Sequence, residues 1–477
     1  MEIVTKRQTV GTVLLCIGLF VGCYTPAPVE PCVNGTLCDD GQACIESVCG
    51  GVPVDASKEC AATTCVNDEL SECGQSRVCA LGCAAGSLAR CNDLLPSNNV
   101  RDWNLAAGTL PFTATDIVTF YTDTGRITVN VMGNISDLRA PGLGVKAGIY
   151  FTDMIMGEVA IKAVFAMRDL AVAQTAQLSF VGTRPVVLLI DGDAAIAGVI
   201  DASAQPSAAT QVGVAGPGGA TGGATGGANG TGCGAGGAGR SLGSADSGGG
   251  GAGYRDMGAR GGTTTNNGSM VTGGGPGLKC ESVDLQPLLG GSGGAVSGGG
   301  PNLFGFGGSG GGALQVSIRG TLSVSSTGSI VASGSGGGGG RVGVNAGDAG
   351  GGGGGGSGGS LLLEASNVLI AGGVFANGGG GGGGAATVVG VLTPGSRGEE
   401  GTRSTRPAAG GDSASAVSGG DGGRGGTTTG PELGQTADFN AGGGGGSAGK
   451  IIIRGGQVAL LLATLSPAAT QLPARTQ

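Results

Sequence analysis

Histidine is absent from all 477 residues, which removes the commonest general base, proton shuttle and metal ligand at once. Aromatic residues are scarce, at 10 Phe, 4 Tyr and 1 Trp, so one large conventional core is not expected. Charged side chains are few, and 33 acidic against 25 basic residues give a net charge of −8. The clustered Lys and Arg that grip a phosphate backbone are missing, and nucleic acid is not an expected partner. No Walker-type lysine follows a glycine loop, so a bound nucleotide is not expected either. What the chain has in quantity is glycine, 111 residues of it. Glycine loses the most backbone freedom on folding and buries no side chain, so the apolar residues must be concentrated in limited segments.

The first 22 residues have the order of an export signal: Lys6-Arg7, an apolar run from Val10 to Val21, then Gly22 before Cys23. The run is shorter than the ~20 residues a permanent membrane helix needs. Leu19-Phe20-Val21-Gly22-Cys23 resembles the bacterial lipobox, which implies cleavage after residue 22 and acylation of Cys23. A lipid bilayer is then a partner. Tyr24 stands where an inner-membrane retention aspartate would, so the resemblance implies an outer-membrane lipoprotein facing the periplasm or the cell surface. Residues 23–31, with Pro26, Pro28 and Pro31, read as a stiff tether.

Residues 32–91 form a cysteine-rich module with Cys32, Cys38, Cys44, Cys49, Cys60, Cys65, Cys73, Cys79, Cys83 and Cys91. Cys233 and Cys280 form a further pair downstream. With Cys16 lost in the leader and Cys23 acylated, both groups are even, as disulfide pairing in an oxidising compartment requires. The module has too little oil to fold alone, and cross-links of about 2–4 kcal/mol each would hold it. Spacing does not reveal the connectivity. Zinc is disfavoured because no Cys-x2-Cys pair occurs here, and no cofactor is expected.

Beyond a less regular β region at 92–160, which would cap the first of the repeats, a three-strand unit recurs between residues 161 and 465. It is read at Val164 to Gly182, Val186 to Ser203, Leu314 to Gly334, Leu361 to Gly378 and, shortened, Ile451 to Leu462. Period-two alternation, as in Leu314, Val316 and Ile318, gives each unit one apolar face that it cannot bury alone. Stacking the units predicts an all-β fold: a parallel β-helix-like solenoid with a narrow aliphatic core, followed by a tail at 466–477. An antiparallel β-sandwich is the alternative, since Ile190-Asp191-Gly192-Asp193 could be a hairpin turn.

Glycine-rich inserts at 204–312, 335–359 and 379–448 leave after the third strand of a unit and return before the first strand of the next, which places them on one edge. Composition favours a flexible fringe; packed extended polyglycine is the other possibility. The apolar groups of Asp284-Leu285-Gln286-Pro287-Leu288-Leu289 and Leu303-Phe304-Gly305-Phe306 would cap the solenoid's edge.

This order of parts resembles the glycine-rich, cysteine-rich surface lipoproteins of the myxobacterial type. Arg184-Pro185-Val186-Val187-Leu188 and Pro287-Leu288-Leu289-Gly290-Gly291-Ser292-Gly293-Gly294 carry the likeness. It implies an architecture and a location, and no activity.

The best acidic group for chemistry is Asp191, Asp193 and Asp201, a candidate acid/base pair or calcium set; turn aspartates and a solvated strand face explain it as well. Asp421, within Gly419-Gly420-Asp421-Gly422-Gly423, resembles one calcium-binding nonapeptide without the stacked second copy. The expected function is therefore a membrane-anchored structural or adhesive lipoprotein without catalytic activity, touching surface polysaccharide or other envelope proteins. The alternative is a β-helix carbohydrate-active enzyme or polysaccharide-binding protein.

Overall fold

The computed structural model describes residues 44–45, 48–49, 64–72, 75–84, 89–100, 103–156, 160–208, 211–266, 268–345, 348–388, 391–415 and 418–476. Cys23, the leader and the tether, together with Cys32, Cys38, Cys60 and Cys73, lie outside the described residues. The chain divides into two units, residues 1–63 with 72–74, and residues 64–71 with 75–477. In the first, Cys44–Ile45 and Val48–Cys49 pair antiparallel with Cys44 opposite Cys49. In the second, disulfides join Cys65 to Cys83 and Cys79 to Cys91 around a small cluster of Leu70, Cys79 and Ala89.

The rest of the second unit is all-β, and the helical element among the described residues is one 3-10 turn, Trp103–Ala106. Two large sheets of eight and eleven strands share a core. Along the larger sheet, Ala163, Val186, Leu314, Leu361 and Ile451 are successive parallel partners. Along the smaller one, Val118, Leu178, Ile200, Ile330, Val374 and Leu465 are the corresponding row. These residues recur at equivalent places in the sequence because each register row needs an apolar side chain at the same point of the pleat. The Asp191–Asp193 turn joins Val186–Ile190 to Ala194–Ile196, which pair in parallel with neighbouring segments and not with each other. Antiparallel pairing in the two large sheets falls at residues 117–167, in Ile117–Tyr121, Ile127–Val131 and Asn134–Arg139 on one sheet and Gly144–Lys146, Ile149–Met156 and Ala160–Met167 on the other.

Two expectations about this core need correction. It is not purely aliphatic: Phe112, Phe120, Phe151, Phe165 and Phe180 form a cluster of edge-to-face and tilted ring contacts. The larger sheet is also buried on both faces. Val187, Leu189, Leu362 and Ile452 point away from the shared core into a second one with Leu94, Val100, Trp103, Leu285 and Leu288. That is why Val186–Ile190 is buried throughout and reads as a continuous apolar run.

The inserts are not a fringe. Residues 350–359 make this plain. The amides of Gly351, Gly354 and Ser357 donate to Gly298, Ala295 and Ser292; those of Gly353, Gly356 and Gly359 to Gly338, Ser335 and Ala332; those of Gly352, Gly355 and Gly358 to Ala441, Gly444 and Ser447. Successive residues thus reach three different neighbours and return to the first every third residue, the repeat of the polyproline II helix. Its carbonyls accept from three more segments, through Gly308 to Gly354, Gly249 to Gly352 and Gly382 to Gly353. A chain with no internal hydrogen bonds satisfies its backbone sideways, and the three inserts interlock in one bundle.

Glycine is required here by distance. A Cβ on Gly353 would stand 1.9 Å from the Phe306 carbonyl oxygen, and on Gly354 2.0 Å from that of Gly250. Serine enters where its hydroxyl replaces a backbone acceptor: Ser292 N donates to Ser357 Oγ and Ser309 N to Ser335 Oγ, both at 2.8 Å. The bundle is tied to the sheets where the inserts return, since Gly312, Gly359 and Gly449 donate to Ala202, Ala332 and Ala376. The Cys233–Cys280 disulfide closes a loop inside the longest insert.

Gly353→Ala is expected to cost about 1–3 kcal/mol or more by overpacking, seen as a lower melting temperature. Gly430→Ala, where nothing lies within 4 Å, should leave the melt unchanged or slightly raised; equal effects would contradict the close-approach argument.

Candidate functional site

The aspartates singled out from the sequence are not brought together as one site. Asp191 and Asp193 lie in a turn of the larger sheet, whereas Asp201 ends Val199–Asp201 on the smaller one. Asp191 Oδ1 meets Arg319 Nη1 at 2.7 Å. Asp193 Oδ1 accepts from the Thr321 amide at 2.7 Å, while the Asp193 amide donates to Asp169 Oδ1 at 3.1 Å. Asp169, Asp193 and Thr321 therefore pin three successive turns by side chain to backbone bonds. Asp201 pairs with Arg403 Nη2 at 2.6 Å and accepts from the Ser203 amide at 2.9 Å. Asp421 accepts from the Ser413 amide at 2.7 Å, a loop contact. Among the described residues no three acidic or cysteine side chains are grouped to hold a metal.

A more unusual polar group lies on the outer face of the larger sheet, beneath residues 97 and 98. Glu364 is fully buried there. Ser97 Oγ donates to its Oε1 at 2.6 Å, and Ser317 Oγ, Gln315 Nε2 and the Ser97 amide to Oε2 at 2.9, 3.1 and 3.0 Å. Asn98 Nδ2 bonds Gln315 Oε1 at 2.9 Å, and Lys162 Nζ donates to the Asn98 carbonyl. Burial pushes the Lys162 ammonium down to about 8. Gln315, Ser317, Glu364 and Arg454 stand on adjacent strands because they occupy the odd positions of the alternation, opposite Leu314, Val316 and Leu363. With donors on both of its oxygens, Glu364 gathers its neighbours and clamps residues 97 and 98 to the sheet. The alternation in the sequence marked these positions as outward; nothing local showed that another segment covers them.

Where the inserts meet, a pocket of about 300 Å³ is lined by Ser207, Phe306, Gly339, Arg341, Pro394 and Arg397, among others. The Arg341 guanidinium lies 4.7 Å from the Phe306 ring and 5.5 Å from that of Phe304. Its Nε donates to the Phe304 carbonyl at 3.3 Å, and Nη2 has no hydrogen-bond partner. Burial lowers its basicity. Arg397 Nη1 donates to the Ser207 carbonyl at 3.2 Å, and its Nη2 pairs with Glu400.

Elsewhere in the bundle Asp246 is buried, and burial pushes its carboxyl up to about 6, against a hydrogen bond from Ser241. Its Oδ1 has no partner.

The geometry defines an all-β protein with disulfides, which point to an extracellular or envelope location. No family model, no curated protein and no solved structure matches the chain.

Glu364→Ala is expected to cost about 3–5 kcal/mol, because it strips a buried network of its one shared acceptor. Asp191→Asn, at a half-exposed pair, should cost no more than about 1 kcal/mol. Chemical denaturation of both variants checks the contrast. For Asp246 the folded value lies above the unfolded one, so stability falls as pH rises from about 4 through about 6. Asp246→Asn should remove that slope and stabilise the protein at pH 7 by up to about 3 kcal/mol, with no gain at pH 4; a gain that is the same at both pH values would refute the assignment.

Proposed function

We propose that this chain is a lipid-anchored structural or adhesive protein of the cell envelope, carried on acylated Cys23 and without catalytic activity. Its repeated units are read as a parallel β-helix-like solenoid, with the register of Val186, Leu314, Leu361 and Ile451 in support. One observation carries the functional reading. The aspartates singled out in the sequence and the buried Glu364 are engaged in holding turns and segments: Asp191 on Arg319, Asp193 on the Thr321 amide, Asp201 on Arg403, Glu364 under Ser97. A carboxylate that works as acid or base needs a face free for substrate, and these spend oxygens on partners within the chain.

The arrangement suits a passive mechanical part. Interlocked backbones and disulfides resist proteolysis and local opening, because few backbone groups are left for water or a protease to reach. A lipid on Cys23 with the proline-bearing segment after it would hold such a body near the membrane, where envelope proteins or polysaccharide are the partners.

The test is metabolic labelling with an alkyne fatty acid in a bacterial host that processes lipoproteins. Label on the full chain and its loss in Cys23→Ala, with the protein moving from the outer-membrane fraction to the soluble one, is the expected result; unlabelled wild-type chain would overturn the anchor. Incubation with envelope and plant polysaccharides should release no new reducing ends or unsaturated products, and release abolished in an Asp191→Asn/Asp201→Asn double variant would establish the enzymatic alternative instead.

A further inference from the structure

The pocket between the inserts has features that neither the sheets nor the glycine bundle needs. Its wall is assembled from all three inserts: Ser207 and Phe306 from the first, Gly339 and Arg341 from the second, Pro394 and Arg397 from the third. Two arginines line one space. Glu400 pairs with Arg397, whereas Arg341 makes no ion pair with any described residue and is held by rings and one carbonyl. A partly buried guanidinium with an unpartnered Nη2 and no ion pair has donor capacity left for an anion.

The backbone adds a donor. In the threefold pattern, the Gly338 and Gly340 amides reach Phe306 and Gly383, and the amide of Gly339, a residue of the pocket wall, meets no acceptor among the described residues. The remaining surface is apolar: the Phe306 ring, Ala208, Pro394 and glycine methylenes. A bare inorganic anion would use the guanidinium groups and leave that surface idle. The volume, about 300 Å³, sits at the low end of small-molecule pockets, which run from about 300 to 1,000 Å³. It admits one sugar-sized ring and no longer oligomer.

We propose that this pocket binds a single hexuronate unit, the carboxylated sugar at the end of an acidic polysaccharide, with its carboxylate on Arg341 and Arg397 and a C–H face of its ring on Phe306. Arg341, already stacked on two aromatic rings, is oriented before the ligand arrives, so little side-chain entropy is lost on binding. The inference gives the adhesive reading a ligand class but does not depend on how the chain is anchored.

Calorimetric titration of the full chain in mild detergent at low salt, with galacturonate and digalacturonate, galactose, benzoate and inorganic phosphate in parallel, tests it. Uronate binding at least tenfold tighter than that of galactose, benzoate or phosphate is expected. Arg341→Met should weaken it at least tenfold and Arg397→Gln several-fold. Arg397 is exposed, so its variant decides the matter should Arg341→Met fail to keep the wild-type melting profile. Benzoate binding as tightly as uronate would show a general organic-acid pocket, and equal phosphate binding a general anion site; either overturns the proposal. So would galactose binding as well as galacturonate, an unaltered uronate affinity in Arg397→Gln, or no uronate heat at millimolar concentration.

Discussion

Two backbones without Cβ atoms can approach until the amide of one meets the carbonyl of the other at any of three angles, and the body of this protein depends on that approach. Segment 350–359 gives hydrogen bonds to three neighbours and takes them from three others. Ordering a residue costs about 1–2 kcal/mol of backbone entropy, and one hydrogen bond returns a net of about 0.5–1.5 kcal/mol. A glycine bundle alone is therefore marginal. It becomes stable by being fixed where each insert meets the sheets, at Gly312 with Ala202, Gly359 with Ala332 and Gly449 with Ala376. The Cys233–Cys280 bridge further restricts the longest of the three.

The molecule thus has two kinds of interior. Between and outside the sheets, Val, Ile, Leu and Phe exclude water in the ordinary way. Among the inserts there is almost no side chain to bury, and the space is filled by main chain whose polar groups are mutually satisfied. The first interior supplies the hydrophobic driving force that lets the second form. Polar side chains are used sparingly and chiefly to hold segments together: Glu364 gathers Ser97, Gln315 and Ser317, and Arg139 donates to five backbone carbonyls across its turn. The pocket around Arg341 stands apart because its charge has no such partner among the described residues.

Much of the sheet architecture was legible, since alternation at Leu314, Val316 and Ile318 and its echo at Leu361, Leu363, Ile451 and Ile453 reflect a constraint repeated at every pairing. The pairs Cys65 with Cys83, Cys79 with Cys91 and Cys233 with Cys280 were legible as parity and not as partners, because spacing is silent on which sulfurs meet. The second core was hidden: Leu285 and Leu288 come from an insert and Trp103 from upstream of the repeats, and no local pattern links them to Val187 or Leu362. The Arg341 and Arg397 pocket was invisible for the same reason, being drawn from residues 207 to 397.

By itself the sequence determined the alternating apolar face of the repeated strands and the lack of histidine, because these depend on identity and spacing along one stretch of chain. Only the tertiary structure decided whether the glycine is order or slack, what covers the outer face of the larger sheet, and whether three aspartates become a site or three staples. Those outcomes turn on which backbone comes within hydrogen-bonding distance of which, and glycine, having no side chain, carries no mark of its neighbour.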